Sequence, residues 1–329
     1  MLTDALPRLR FAHLPTPVER LPRLSAQLGV ELYVKRDDQT GLATGGTQTR
    51  TLVFLVAEAR AQGADTLITG GATQSNHCRQ TAAAAARHGM RCVLVLGGHA
   101  PAQLDGNNLL AALLGAELRW TGNRARDAVM QSTFEEEKTR HAPYLIPYGG
   151  SNPTGAAGYV AAVEELAAQL QSGAVGVEAF DAIVHASSSG GTQAGLALGA
   201  AALNLPTRVL GVSVDAEADV LQARVADLAN RTAAHLGLSV RLSPGDVHVD
   251  ANYLGGGYAV VGAPEREAIT LAARTEGLLL DPVYTGRAFA GLLDRIRRGL
   301  HRPGERILFW HTGGEAALPA FRDVLLDGG

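Results

Sequence analysis

The stretch DAIVHASSSGGTQAGLALGAAAL, residues 181–203, runs through a strand, a tight turn and a helix in one passage. DAIVHA is short and apolar, as suits a strand covered on both faces. TQAGLALGAAAL is long and alanine-rich, and reads as a helix. Between them lies SSSGGTQAG (187–195). Its paired glycines let backbone N–H groups converge with no Cβ in the way, and the helix that follows adds the positive end of its dipole. The result is an anion nest suited to a phosphate, to which Ser189 and Thr192 can add hydroxyl donors. The same residues also suit a plain strand-to-helix turn with a serine cap. The pattern is neither a Walker loop nor a full G-x-G-x-x-G, so it does not point to a nucleotide.

Outward from this unit, the alternation repeats. Strands are expected at 31–36, 65–71, 91–97, 117–122, 144–149, 180–187, 207–215 and 305–313. Helices are expected at 49–63, 75–89, 106–116, 158–170, 191–203, 218–237, 263–277 and 286–299. Each helix starts close behind a strand and ends near Gly or Pro. Such alternation implies βαβ units, parallel sheets and an α/β fold, with ligands at the carboxyl ends of the strands. PYGGSNPTGAAG (147–158) is the one seam, and it could join two lobes with a cleft between them.

Composition agrees. Of 329 residues, 46% are apolar and only 5% aromatic, with alanine and glycine abundant, which favours helices packed tightly on a sheet. The net charge of −3, with no long run of either sign, argues against nucleic acid or an anionic membrane surface as partner. No stretch has the length of a membrane span or of a signal-peptide core, so a cytoplasmic protein is expected. The two cysteines, Cys78 and Cys92, are too few for a disulfide framework or a zinc site, and no metal is expected. Lysine is nearly absent: only Lys35 and Lys138 occur.

Other strand-to-loop passages carry polar groups. In GGATQSNHCRQTAAAAARHG (70–89), Gln74, Ser75, Asn76 and His77 crowd a helix start, more than the single cap Ser75 could supply. LLLDPVYTGRAFAG (278–291) brings Tyr284 and Thr285 to a helix start. NYLGGGYAVVG (252–262) carries Tyr253 and Tyr258, and HTGGEAAL (311–318) runs a strand into a glycine pair.

Taken in order, GGATQSNHCRQTAA, IPYGGSNPTGAAGYV, ASSSGGTQAG, LLLDPVYTGRAFAGL and HTGGEAAL resemble the D-cysteine desulfhydrase and 1-aminocyclopropane-1-carboxylate (ACC) deaminase family. PTPVERLPRLSAQLGVELYVKRDDQTGLATGG at the N-terminal side is similar too, so the resemblance spans essentially the whole chain. It implies the tryptophan-synthase-β-like fold, fold type II of the pyridoxal phosphate enzymes, with two lobes, each a mostly parallel twisted sheet flanked by helices. A small domain at 51–158 and a large one at 1–50 plus 159–329 are expected, in a homodimer that acts on small amino acids. Ser189, Gly190, Gly191 and Thr192 resemble the phosphate cup. Asn76 resembles the residue facing the cofactor's 3′-oxygen, and Ser75 the residue near the substrate carboxylate. Tyr258 and Tyr284 resemble the active-site tyrosines. Thr285 sits where the group facing the pyridine nitrogen lies; ACC deaminases have Glu there, so the chain leans toward the desulfhydrase branch.

The family pattern at 45–54 reads GGNKTRKLEF, whereas this chain reads GGTQTRTLVF. Gln48 thus stands at the position of the Schiff-base lysine, with Thr47 and Thr51 replacing an Asn and a second Lys. An amide nitrogen cannot form an imine, because its lone pair is delocalised into the carbonyl. The expectation is a divergent lyase acting on a small amino acid or related carboxylate, with pyridoxal 5′-phosphate non-covalent or absent. Proton transfer would then fall to Ser75, His77, Tyr258 or Tyr284. The alternatives are an enzyme independent of pyridoxal phosphate that acts on another anionic metabolite, and a ligand-binding homologue without catalysis. A laboratory Lys-to-Gln substitution would explain one change; several within ten residues suit natural divergence better.

Overall fold

The computed structural model describes residues 1–326. In chain order the strands are β1 (Val18–Arg20), β2 (Glu31–Arg36), β3 (Thr66–Gly71), β4 (Arg91–Leu96), β5 (Glu117–Trp120), β6 (Pro143–Leu145), β7 (Ala182–Ser187), β8 (Arg208–Ser213), β9 (His248–Asp250) and β10 (Arg306–His311). The helices are α1 (Pro22–Leu28), α2 (Thr47–Ala61), α3 (Asn76–Arg87), α4 (Gly106–Leu113), α5 (Arg126–Glu137), α6 (Pro153–Gln171), α7 (Gly191–Ala202), α8 (Ala218–His235), α9 (Ala263–Glu276), α10 (Thr285–Arg297) and α11 (Arg322–Leu326).

The strands form two sheets. One has the order β1-β2-β10-β7-β8-β9 and the other β5-β4-β3-β6. Every pairing is parallel except β1 with β2. The four-stranded sheet uses residues 66–145, and the six-stranded sheet uses chain on either side of that block. Parallel strands covered on both faces read as continuous apolar runs. In β10, Ile307 and Phe309 pack with Leu32, Val34, Val184 and Phe289, while Leu308 and Trp310 pack on the opposite face with Tyr33, Tyr159 and Ile183. A separate core around the smaller sheet joins Leu67, Leu94 and Leu96 to Leu52 and Phe54 of α2 and the alanines of α3.

The helix starts that matter are locally encoded. Ser75 caps α3 by accepting from the Cys78 N–H at 3.1 Å. Asn152 caps α6 by accepting from Gly155 N–H at 2.8 Å, with Pro153 in the first turn. Gly190 sits before α7 at φ 93°, a left-handed conformation that few other residues adopt. Helix α6 lies between α2 and α7. A Cβ on Gly158 would come within 2.5 Å of the Arg50 carbonyl oxygen in α2, so that crossing requires glycine. Among the described residues, no helix is long and apolar enough to cross a membrane. Cys78 and Cys92 are both free and buried, and burial raises both thiols, Cys78 to about 12.

Candidate active site

Loops from both sheets wall one cleft. Ser75, Asn76 and His77 follow β3, and Tyr148 and Gly149 follow β6. Ser188 to Gly190 and Thr192 follow β7, Thr312 to Gly314 follow β10, and Thr47 and Gln48 open α2. The cleft has a cavity volume of about 80 Å³.

One corner is the start of α7. First-turn N–H groups of a helix lack intrahelical acceptors and carry the positive end of its dipole. The Gly191 N–H donates to Ser151 Oγ at 3.2 Å, and Ser151 Oγ donates to Ser189 Oγ at 2.7 Å. Ser151 is a residue that the sequence reading left unassigned; it lay inside the quoted seam, where a serine after two glycines carries no signal of its own.

Thr192 Oγ1 lies 3.1 Å from Thr47 Oγ1, which donates to the Tyr159 hydroxyl at 2.6 Å. Tyr159 in turn donates to Asp37 at 2.8 Å. Burial opposes the charge on Asp37, yet the Arg50 guanidinium beside it holds the carboxyl down to about 2. An ionised Asp37 only accepts, so the protons of this chain all run inward and Thr47 offers Thr192 a lone pair.

Opposite the corner, Asn76 Oδ1 accepts from Arg79 at 3.2 Å and from Asn107 Nδ2 at 2.9 Å. Its oxygen is therefore occupied, and the Nδ2 donor is the group left for the cavity. Arg79 is fully buried and has no carboxylate in ion-pair contact among the described residues; burial lowers its guanidinium to about 10. Arg79 and Asn107 are supports that the sequence reading missed, since a polar pair inside two helices gives no short motif.

His77 Nδ1 is 2.8 Å from the Gln48 side-chain oxygen, and Nε2 is 2.9 Å from Thr69 Oγ1. Burial pushes the imidazole down to about 3, so it is neutral. Ser75 lines the cavity beside it while capping α3. Tyr284 lines the cavity too, and its hydroxyl is 2.6 Å from that of Tyr258, which stands behind it. Burial raises both phenols, so each stays protonated.

Thr285 lies elsewhere. It is fully buried, donates to Asp281 Oδ1 at 2.8 Å and accepts from Asp281 N–H at 2.8 Å. It is not on the cavity wall, whereas Thr312 is, and the Thr312 hydroxyl has no hydrogen-bond partner among the described residues. Lys35 is also away from the cavity. Its ammonium is fully buried among Thr16 O at 2.8 Å, Glu165 at 2.6 Å and Gln169 at 2.7 Å. Lys138 is exposed at the end of α5.

A profile of the pyridoxal-phosphate dependent enzymes matches residues 9–313. D-cysteine desulfhydrases of Salmonella typhimurium and Salmonella choleraesuis are each 43% identical over 324 residues, 96% of this chain and 96% of theirs. The solved structure of an ACC deaminase homologue matches at 39% identity with a TM-score of 0.89, covering 99% of this chain and 97% of that one. Threonine deaminase isoform 2 of Solanum lycopersicum, at 17% identity and a TM-score of 0.69, shares the fold.

Proposed function

We propose, for a chain that belongs to the pyridoxal-phosphate dependent enzymes, a divergent D-cysteine desulfhydrase-like lyase acting on a small amino acid or related carboxylate. In this reading the cofactor is held without covalent attachment to the protein. The observation that carries it is Gln48: an amide, hydrogen-bonded to His77, stands at the cavity wall beside an intact anion corner. The donor set fits the phosphate and the ring of pyridoxal phosphate, and does not fit an imine to the protein.

Ser189, Gly190, Gly191 and Thr192 would hold the phosphate, as the first-turn N–H groups and the dipole of α7 favour an anion. Asn76 would donate to the ring oxygen, held in that orientation by Arg79 and Asn107. Thr312, rather than Thr285, has a free hydroxyl on the wall for the ring nitrogen. The bound cofactor supplies an electron sink for charge developing at a substrate's α-carbon.

Both nitrogens of His77 are already committed and its basicity is low, so it orients Gln48 and does not relay protons. Ser75 and Tyr284 present hydroxyls to the cavity, and Tyr258 gives Tyr284 a partner that can pass a proton along the pair. A neutral threonine at the ring nitrogen leaves that nitrogen unprotonated, which suits eliminations that need little carbanion stabilisation.

The test is the visible spectrum of the purified protein with added pyridoxal phosphate, before and after candidate amino acids, followed by borohydride and mass measurement. Binding that perturbs the cofactor's band with no mass added at residue 48 supports the reading. Sulfide release from D-cysteine at a rate typical of an enzyme, about 1 to 1,000 per second, would overturn it.

A further inference from the structure

The proton bookkeeping around Gln48 decides which of its amide atoms faces the cavity. Thr69 Oγ1 has a single proton and donates it to the Ile146 carbonyl at 2.9 Å. The His77 Nε2 atom, 2.9 Å from the same hydroxyl, must therefore be the donor in that contact. A neutral imidazole protonated at Nε2 has an unprotonated, accepting Nδ1. The Gln48 amide atom 2.8 Å from Nδ1 must then be a donor. Amide oxygen and nitrogen have nearly the same shape, and the protons decide between them. The NH2 group of Gln48 thus faces His77, and the carbonyl oxygen faces the cavity that Gln48 lines. Among the described residues, the cavity-facing amide atom has no hydrogen-bond partner, so a ligand meets it directly.

We propose that Gln48 is a carbonyl acceptor in the cavity wall, and that it selects a ligand with a protonated amine on the side away from the anion corner at α7. A carbonyl oxygen beside an aldehyde oxygen sets two acceptors face to face, whereas a carbonyl beside an ammonium makes a charge-assisted hydrogen bond. Resting on the reading that the cavity holds a pyridoxal-type cofactor, the inference is that it takes the amine form, pyridoxamine 5′-phosphate, in preference to the aldehyde form. The chain Thr69–His77–Gln48 is the device that fixes this polarity. Thr69 and His77 are positioning residues, and Gln48 touches the ligand.

The experiment titrates the full-length protein with pyridoxamine 5′-phosphate and with pyridoxal 5′-phosphate, each followed by calorimetry. The amine form is expected to bind roughly tenfold tighter, the span of one charge-assisted hydrogen bond. Gln48→Met should abolish the difference, and Gln48→Lys should reverse it. Equal or tighter binding of the aldehyde form by the unmodified chain overturns the inference while leaving a non-covalent pocket intact. Failure of both to bind overturns the inference and the proposed function together. A second measurement does not depend on the variants: nitrogen-15 NMR of the imidazoles should report His77 protonated at Nε2 and bare at Nδ1. The opposite tautomer overturns the assignment.

Discussion

His77 sits where the chain's chemistry and its stability meet. In the unfolded chain its imidazole titrates near 6.5, and in the fold burial depresses it to about 3. Between those values the unfolded chain binds a proton that the folded chain does not. The stability from keeping it neutral is therefore complete above about pH 6.5 and drains away as pH falls toward 3. At pH 4.5 the loss should be about 2–3 kcal/mol. His77→Asn is expected to flatten that acid limb relative to the unmodified chain, read from urea midpoints between pH 7 and 4.5. Parallel slopes in the two proteins would mean that His77 is not buried neutral. Gln48→Lys offers a second reading at this scale. The chain has two lysines, one fully buried in an ion pair and one exposed. Borohydride after pyridoxal phosphate should label Lys138 in the unmodified protein and add residue 48 in the variant, as peptide masses will show. A folded variant that takes no label at 48 would show that the cavity does not admit the aldehyde. Much of this was visible in single letters: SNH at 75–77 lies on the cavity, and so do Ser188, Ser189, Gly190 and Thr192 of SSGGT at 188–192. What was hidden is direction. No sequence pattern tells that both nitrogens of His77 are occupied, or that Thr285 turns to Asp281 while Thr312 faces the cavity.

Helix α6 governs how the two helix starts at the cavity face each other. It packs against α2, whose first residues are Thr47 and Gln48, and against α7, which opens with Gly191 and Thr192. Both crossings are closed by glycine. Gly158 of α6 lies under the Arg50 carbonyl, and a Cβ on Gly195 of α7 would meet the Ala156 carbonyl oxygen at 2.4 Å. Gly158→Ala should push α2 away from α6. The expected effect is a loss of about 1–3 kcal/mol, as overpacking typically gives, seen as a lower denaturation midpoint. The shift would also stretch the 3.1 Å Thr47–Thr192 contact, so phosphate affinity should fall in the same variant. Undiminished stability would mean that the crossing has slack. Elements of eight residues or more with a clear apolar rhythm were legible, as α7 at 191–202 against an expected 191–203 shows. Of the three-residue strands, β6 fell in an expected run at 144–149, but β1 and β9 did not, because they are defined by their neighbours rather than by their own letters. Helix α5, RDAVMQSTFEEE, hid because its few apolar residues give little rhythm. The passage read as a seam at 147–158 contains the first turns of α6, since Asn152 and Pro153 start a helix that its glycines disguised.

Across the whole molecule, four strands from two sheets aim their carboxyl ends at one cleft. β3 and β6 deliver Ser75–His77 and Tyr148, and β7 and β10 deliver the anion corner and Thr312–Gly314. We propose that residues 51–158 form the smaller lobe and that 1–50 with the described part of 159–329 form the larger, because the smaller sheet lies wholly within 66–145; residues 327–329 lie outside the described residues. A phosphate-bearing ring seated at the anion corner must touch loops of both sheets, because both wall the same cleft. Hydrogen exchange on the full-length protein with saturating pyridoxal phosphate should therefore show slower exchange at 75–78, at 188–193 and at 312–315 together. At a hundredfold excess over its Kd the ligand should add about 2.7 kcal/mol to stability, raising the melting temperature in step. A Ser189→Ala, Thr192→Val variant should weaken both effects, because the anion corner would lose two of its hydroxyl donors. Protection confined to the loops of one sheet would mean that the ligand sits on one lobe. The two sheets would then owe their approach to packing alone.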